Sequence, residues 1–400
     1  MKQIRYWAQI FLLPIYWLSF LTIRSKTIYL FGSSFGTRFA DNPKYLYLYA
    51  AQYKKNSIRS IWITHKKDIA KMLMENGYEA YYYKSLKGIW YCLRGKYYIF
   101  DNYSKDISFW LSGGAKKINL WHGTGNKKIN YDNKFDVVRH PKNNWDRFRF
   151  ALRRLSDEKP SHYVLATSEM MGDIFSSAFR VPREHIIVDG YPRNDVLFQQ
   201  CMIEQLYTKE EKEIVEYVKG LKQNKYRILI YMPTFRDSEV KFFDVMDLVG
   251  FNKFLQDNKL IFLTKLHPKS KLKSEFERIE VSNIINVSTM VDPYTILGLA
   301  DMLTTDYSSV YTDFLLLNKP SVLFTYDLED YTRDTRECYF EYDDYIPELR
   351  TYTMEEFQKG ILRALEKDEF EKGRINLRNK MFSYVDCKAS ERILDKMMKI

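Results

Sequence analysis

Residues 302–325 read MLTTDYSSVYTDFLLLNKPSVLFT. Two short apolar runs, MLTTD (302–306) and SVLFT (321–325), have the length of strands, and a helix-length stretch over 308–317 lies between them. A strand, a helix and a second strand in close succession form the repeating unit of a parallel sheet, because parallel neighbours need a crossover connection.

The same alternation extends in both directions. Strand-like runs occur upstream at 27–33, 60–64, 80–83, 97–101, 117–122, 163–167 and 186–190. Helical patterns at 43–55 and 66–76 separate some of them. Residues 207–223 read as a charged helix without strand character, and the alternation then restarts at 227–233, 260–268 and 284–288, with further helices at 245–257 and 354–366. Two α/β blocks joined by a helical connector predict two doubly wound domains facing each other. In such sheets ligands bind at the carboxyl ends of the strands.

The chain has 400 residues, 46% hydrophobic and 28% charged, which excludes a disordered, collagenous or polytopic membrane protein. Its formal charge is +11. The excess lies in the first half: residues 1–200 hold 32 Lys and Arg against 16 Asp and Glu, and residues 201–400 hold 30 against 35. A basic half predicts a surface that meets a polyanion, with anionic lipid, a phosphate-rich polymer and nucleic acid as the candidates. The four cysteines, Cys92, Cys201, Cys338 and Cys387, are widely spaced without a CxxC pair, which argues for a reducing compartment and against a zinc site.

Residues 6–23, YWAQIFLLPIYWLSFLTI, are flanked by Lys2, Arg5, Arg24 and Lys26. The run is short for a span and is interrupted by Gln9 and Pro14. It is expected to be an interfacial anchor with Trp7, Tyr16 and Trp17 at headgroup level; a true span and a helix buried on the protein body are the alternatives. Residues 145–155, WDRFRFALRRL, place Trp145, Phe148, Leu152 and Leu155 on one helical face among four arginines. They read either as a basic helix on an anionic bilayer or as a surface helix packed on the core.

The unusual residues cluster at strand ends. His122 follows a strand in LWHGTG (120–125), where Gly123 and Gly125 permit close backbone approach and a histidine can act as a base beside a phosphate; a hydrogen-bonded histidine in a tight turn is the plainer reading. His267 ends the run IFLTKLHP, with Pro268 breaking the strand. Thr305, Asp306, Ser308 and Ser309 lie between strand and helix. They either cap the helix or form a phosphate site at its start. PTFRD (233–237) and GYPRND (190–195) each end a strand with an arginine, Arg236 and Arg193, able to pair with phosphate or with a loop aspartate. The acidic pair Asp343-Asp344 reads as a solvated loop. No motif here demands a metal, and no GxSxG, HExxH or Walker A pattern occurs.

Five motifs in one order, WHGT (121–124), GYPRND (190–195), PTFRD (233–237), KLHP (265–268) and TDYSS (305–309), resemble the CDP-glycerol glycerophosphotransferase family of teichoic acid polymerases and primases. The resemblance covers roughly residues 25–390. It implies an α/β fold of GT-B type, two Rossmann-like domains with the active site in the cleft between them. With it go a membrane-associating segment at 1–24, an acceptor-side domain at 25–205 and a donor domain at 206–400. It implies a peripheral enzyme on the cytoplasmic membrane face. That enzyme transfers a polyol phosphate from a CDP-polyol to a hydroxyl of a lipid-linked or polyanionic polymer acceptor and releases CMP. No cofactor is expected from the motifs. Carried over by motif, His122 is the base and His267 contacts the donor pyrophosphate. Ser308 and Ser309 bind donor phosphate, with Thr305 and Arg236 as further candidates. Gly123, Thr124, Arg193, Asp195 and Asp306 are acceptor-side or supporting residues. The family commonly continues WHGT with Pro-Leu-Lys, whereas this chain has Gly125-Asn126-Lys127, a departure on the acceptor side.

Three alternatives remain open at this level. One is a CDP-ribitol donor. Another is a glycosyltransferase of the same architecture using a nucleotide sugar. The third is an inactive scaffold or nucleic-acid binder, although the aromatic residues lie mostly in strand-like runs, which argues for a core and against base stacking.

Overall fold

The computed structural model describes residues 6–157, 161–198, 207–234, 242, 245–267, 270, 281–328, 337–341 and 345–400. The chain divides into two compact units. The first comprises Met1–His122, Lys128–Asp195 and Phe382–Ile400; the second comprises Gly123–Lys127 and Val196–Met381.

Unit 1 is built on a seven-stranded sheet whose pairings are all parallel. Its strands are β1 (Ser25–Phe31), β2 (Arg59–Thr64), β3 (Ala80–Tyr82), β4 (Gly95–Phe100), β5 (Lys116–Asn119), β6 (Tyr163–Ala166) and β7 (Ile186–Val188), in the order β3-β2-β1-β4-β5-β6-β7. The order reverses between β1 and β4. These strands are near-continuous apolar runs because helices cover the sheet. On one face Leu30, Ile61, Ile63, Tyr98 and Phe100 form a buried cluster with Cys92 of the helix Leu86–Arg94.

Unit 2 is a six-stranded parallel sheet of β8 (Arg227–Tyr231), β9 (Leu260–Thr264), β10 (Ile284–Asn286), β11 (Met302–Thr305), β12 (Ser321–Phe324) and β13 (Leu349–Thr351), in the order β10-β9-β8-β11-β12-β13. Here the order reverses between β8 and β11. Phe251, Phe262, Phe324 and Phe357 pack together in its core, with Phe324 and Phe357 stacked at 4.8 Å. The aromatics of this block therefore serve packing. Truncating Phe357 to alanine costs about 3–5 kcal/mol by the usual loss of contact and cavity formation.

Helices begin where side chains satisfy the free amides of the first turn. Thr208 and Glu211 form a capping box for Lys209–Gln223, and Thr353 and Glu356 do the same for Met354–Glu366. Asp247 caps Leu248–Asp257.

Several expectations are corrected. The helix expected over 308–317 is five α-helical residues, Val310–Phe314, followed by a 3-10 turn over Leu315–Leu317. The basic helix over 145–155 is broken at Phe150 into Asn144–Arg149 and Ala151–Asp157. The expected domain boundary ran the second domain to residue 400, but Phe382–Ile400 packs with unit 1. Asp189 holds its helix Ala389–Lys399 through Arg392 and Lys396, both at 2.8 Å.

The N-terminal segment is a string of short turns: Gln9–Leu12 (3-10), Leu13–Leu18 (α) and Ser19–Leu21 (3-10). Among the described residues no helix is long and apolar enough to cross a membrane. Tyr16, expected at headgroup level, is buried and stacks on Phe109 at 4.6 Å. Trp17 is exposed, as are Phe11, Leu21 and Ile23, the last three each at nearly 80%. Trp7 stacks on Phe148 at 4.6 Å, which ties the segment to the helix Asn144–Arg149.

Candidate active site

His122 stands three residues beyond the end of β5. The backbone between them is bent by Trp121, a non-glycine residue with φ of 52°, in the left-handed region that costs a side-chain-bearing residue free energy. The bend is held from several sides. Trp121 N donates to Asn119 Oδ1 at 2.8 Å, and Asn42 Nδ2 donates to Trp121 O at 2.9 Å. Arg193 Nη1 donates to the main-chain oxygen of His122 at 2.8 Å and to Asp41 Oδ1 at 2.8 Å. The Trp121 indole lies against the imidazole, with ring centres 4.0 Å apart.

The His122 ring is open to solvent on one side and densely surrounded on the others. Its Nδ1 lies 3.0 Å from the main-chain oxygen of Asp101. A carbonyl oxygen only accepts, so Nδ1 carries the proton and Nε2 presents a lone pair. Loss of hydration pushes the pKa of His122 below its ordinary value, with Arg193 acting in the same direction and Asp41 against it. At neutral pH the ring is therefore an uncharged base with its reactive nitrogen free of the Asp101 contact.

Behind it, at the point where the sheet order reverses, two buried carboxyls hold the loop after β1. Asp101 Oδ1 accepts from Ser34 N at 3.1 Å, and Asp106 Oδ1 accepts from Phe35 N at 2.8 Å. Burial and mutual repulsion raise Asp101 well above the usual carboxyl range, and burial takes Asp106 to about 6. The loop needs this support because Ser34, Phe35 and Gly36 all have positive φ. A Cβ on Gly36 would meet the His65 ring at 2.5 Å, so only glycine fits there. Asp41, Asn42, Asp101 and Asp106 were not singled out in the sequence. The run GSSFG (32–36) after β1 is the signal that marks this end of the sheet.

Unit 2 repeats the device. Asp306, fully buried after β11, accepts from Thr234 N at 2.8 Å and from Tyr307 N at 2.5 Å, bridging the loops after β8 and β11 at the reversal of that sheet. Thr305 Oγ1 donates to Met232 O at 2.8 Å, so its hydroxyl is engaged inside the fold. Ser308 and Ser309 differ: among the described residues no hydrogen bond engages either hydroxyl, and Ser309 is exposed. His267 is exposed three residues past β9, which neighbours β8. The carboxyl ends of β9, β8 and β11 are adjacent, so His267, Thr234 and the Asp306–Ser309 turn belong to one rim of unit 2.

Gly123 and Thr124 already belong to unit 2. A methyl group added to Gly123 or to Gly125 would sit 3.6 or 3.5 Å from Ser309, so this backbone passes close to the serine. Thr124 O accepts from Tyr345 Oη at 3.1 Å. Asn126, in the departure from the family pattern, clasps Phe340 by two main-chain bonds, at 2.9 Å to its oxygen and 2.8 Å from its nitrogen.

Arg193 is bound to Asp41 and the His122 carbonyl, the loop-ordering reading of that arginine. Asp195 accepts from Ala389 N at 3.0 Å and Ser390 N at 2.9 Å, capping the last helix. Arg236 and the Asp343-Asp344 pair lie outside the described residues. Among the described residues no group of three His, Cys, Asp or Glu is placed to hold a metal ion.

The sequence profile of the family described as CDP-Glycerol:Poly(glycerophosphate) glycerophosphotransferase matches residues 14–399. The chain is 27% identical over 391 residues to a teichoic acid glycerol-phosphate transferase of Staphylococcus aureus, covering 94% of each. It is 27% identical over 234 residues to the teichoic acid ribitol-phosphate polymerase TarL of the same species, covering 57% of this chain and 40% of the relative's length. Its fold is that of the wall teichoic acid polymerase TagF, with a TM-score of 0.73 at 24% identity over 100% of this chain and 96% of the other. A more remote likeness, to a UDP-GlcNAc 2-epimerase of Neisseria meningitidis at a TM-score of 0.53 and 13% identity, is one of fold alone. The family match leaves neither sheet outside it, and the chain belongs to the CDP-glycerol:poly(glycerophosphate) glycerophosphotransferase family.

Proposed function

We propose that the chain transfers a polyol phosphate, glycerol phosphate before ribitol phosphate, from a CDP-polyol to a hydroxyl of a lipid-linked or polymeric acceptor, in the synthesis of teichoic acid or a capsule-type polymer. The observation that carries this reading is the tautomer of His122. Its Nδ1 is tied to the Asp101 carbonyl, and its Nε2 is left as an acceptor on a neutral ring. Nε2 takes the proton of the acceptor hydroxyl. The oxygen attacks the phosphorus that bears the polyol, the bond from that phosphorus to the CMP oxygen breaks, and CMP leaves with the electron pair. Such a transfer asks for positioning and for stabilisation of negative charge spread over the phosphoryl oxygens. Ser308, Ser309, His267 and Arg236 are assigned to the donor phosphates. Gly123 and Thr124 supply backbone close to Ser309, while Arg193, Asp195 and Asp306 act by holding loops. Unit 1 is thus the acceptor side and unit 2 the donor side.

The enzyme works at an anionic membrane surface, on the cytoplasmic face where nucleotide donors occur. Exposed Phe11, Trp17, Leu21 and Ile23, and exposed Trp145 and Phe148 on the helix against which Trp7 stacks, a helix that also carries Arg147 and Arg149, support this reading. Purified protein given a membrane-extract acceptor is expected to release CMP from CDP-glycerol. Release from CDP-ribitol alone would move the donor assignment to ribitol, a reading favoured by the likeness to the ribitol-phosphate polymerase. Turnover of a nucleotide sugar in place of both would overturn the proposal.

A further inference from the structure

At the opposite end of the sheet from His122, unit 1 contains a cavity of about 410 Å³ whose walls include Tyr16, Phe20, Lys96, Lys116, Lys117 and His162. The parallel register explains why these cations meet. Lys96 is the second residue of β4, Lys116 and Lys117 open β5, and His162 immediately precedes β6. Tyr97 pairs with Lys116, and Ile118 with Tyr163. Three adjacent strands therefore begin on one rim, each with a basic side chain at its start.

The groups are built into the fold. Lys117 N donates to His162 Nδ1 at 3.0 Å, which uses Nδ1 as an acceptor and leaves Nε2–H as the ring's donor. Lys117 is largely buried, and its ammonium lies 5.9 Å from the Phe109 ring centre. Lys116 Nζ donates to the main-chain oxygen of Ile400 at 2.6 Å. The side-chain charges that act on Lys116 and on His162 are of their own sign. Lys116 is lowered by burial and by Lys96 and Lys26; His162 is lowered by burial and by Lys117, Lys116, His185 and Lys96. Gathering like charges around a cavity is unfavourable until an anion enters. Tyr16 and Phe20 give the cavity an apolar wall, and both come from the segment whose outer side carries Phe11, Leu21 and Ile23. The volume falls within the ~300–1,000 Å³ of small-molecule sites.

We infer that this cavity is a second, non-catalytic site that binds a phosphate ester of a small polyol, either as the headgroup of an anionic phospholipid or as a free polyol phosphate. The cations at the strand ends take the phosphate oxygens, His162 donates through Nε2, and the aromatic wall packs against the carbon part. The site stands on the geometry of unit 1 alone and does not depend on the transfer reaction assigned above.

The test is calorimetric titration of the full chain with three soluble probes: dihexanoyl-phosphatidylglycerol below its micelle concentration, glycerol 3-phosphate, and dihexanoyl-phosphatidylcholine. Saturable binding of the phosphatidylglycerol is expected, weakened about tenfold or more in K96Q/K116Q and unchanged in K71Q/K359Q, at two exposed lysines that do not line the cavity. Equal competition by glycerol 3-phosphate would identify free polyol phosphate as the source; failure to compete would identify the lipid. The NMR titration of His162 should move to higher pH when the anion is bound, a readout that needs no variant. The inference is overturned if neither anion binds, if phosphatidylcholine binds as well as phosphatidylglycerol, or if folded K96Q/K116Q binds like the unaltered protein.

Discussion

His122 Nδ1 lies 3.0 Å from the main-chain oxygen of Asp101, and this contact decides which nitrogen of the ring is the base. A main-chain oxygen cannot be protonated near neutral pH and cannot donate, so it selects one tautomer at every pH at which the ring is neutral. The carboxyl of the same residue faces away, toward Ser34, and holds the loop after β1. One residue thus orients the imidazole through its backbone and fixes the neighbouring loop through its side chain.

Replacing His122 by alanine or glutamine should lower CMP release from CDP-glycerol by about 10²–10⁴-fold, the usual worth of a positioned general base. Glutamine keeps a hydrogen-bonding group but supplies no base, so both variants should fall together while their unfolding midpoints stay near that of the unaltered protein. Full activity in either would remove the role assigned to His122.

The pH profile follows from the direction of the His122 shift. The base works when deprotonated, and its pKa lies below the ordinary histidine value of 6.5. The rate, as kcat/KM, should be flat from neutral pH down to about 6.5 and fall at lower pH, with a slope of one proton. An acid limb centred above 6.5 would show that another group is being titrated.

Ser308→Ala and Ser309→Ala should raise the KM for the CDP-polyol with little effect on stability, because the described residues make no use of either hydroxyl. A hydrogen bond to a charged phosphate is worth about 1.5–3 kcal/mol, so each change should weaken donor binding by roughly 10–100-fold. Thr305→Val is the contrast. Its hydroxyl donates to Met232 O, so it should cost stability of about 1 kcal/mol, the scale of one internal hydrogen bond.

Asp195 provides a test on stability. Burial lifts its pKa from 3.8 to about 6, so the folded state holds the proton more tightly than the unfolded state. Stability should therefore be greater at the acid side of this window and decline as pH rises from about 4 to 6. Urea midpoints of Asp195→Asn across that range should show a flatter dependence. Asp195→Ala, which removes the acceptor for Ala389 N and Ser390 N, should lose about 1–2 kcal/mol at every pH.

The strand runs and the five strand-end motifs are legible without a structure because both are local. An apolar run bounded by turn residues reports a buried parallel strand, and a histidine or serine just past it falls on the carboxyl rim in any parallel sheet. β13 carried no such signal: its three residues, Leu349–Thr351, include an arginine and sit at the sheet's edge, where only pairing with β12 makes them a strand. The broken helix at Phe150 and the buried Tyr16 were illegible for a related reason, since periodicity gives a face but does not say what meets it.

The residue pattern alone marks two parallel α/β blocks and puts the reactive side chains at strand ends. It left open what each of those side chains would meet. The packing of distant segments orients His122 from 21 residues away through Asp101 and braces it from 71 residues away through Arg193. It likewise committed Arg193, Asp195 and Asp306 to holding loops and helices, and brought the last helix back to unit 1. The physical reason is range. Strand and turn preferences act between neighbours in the chain, whereas the partner of a buried charge is set by whichever loops the closed sheet brings within about 3 Å of it.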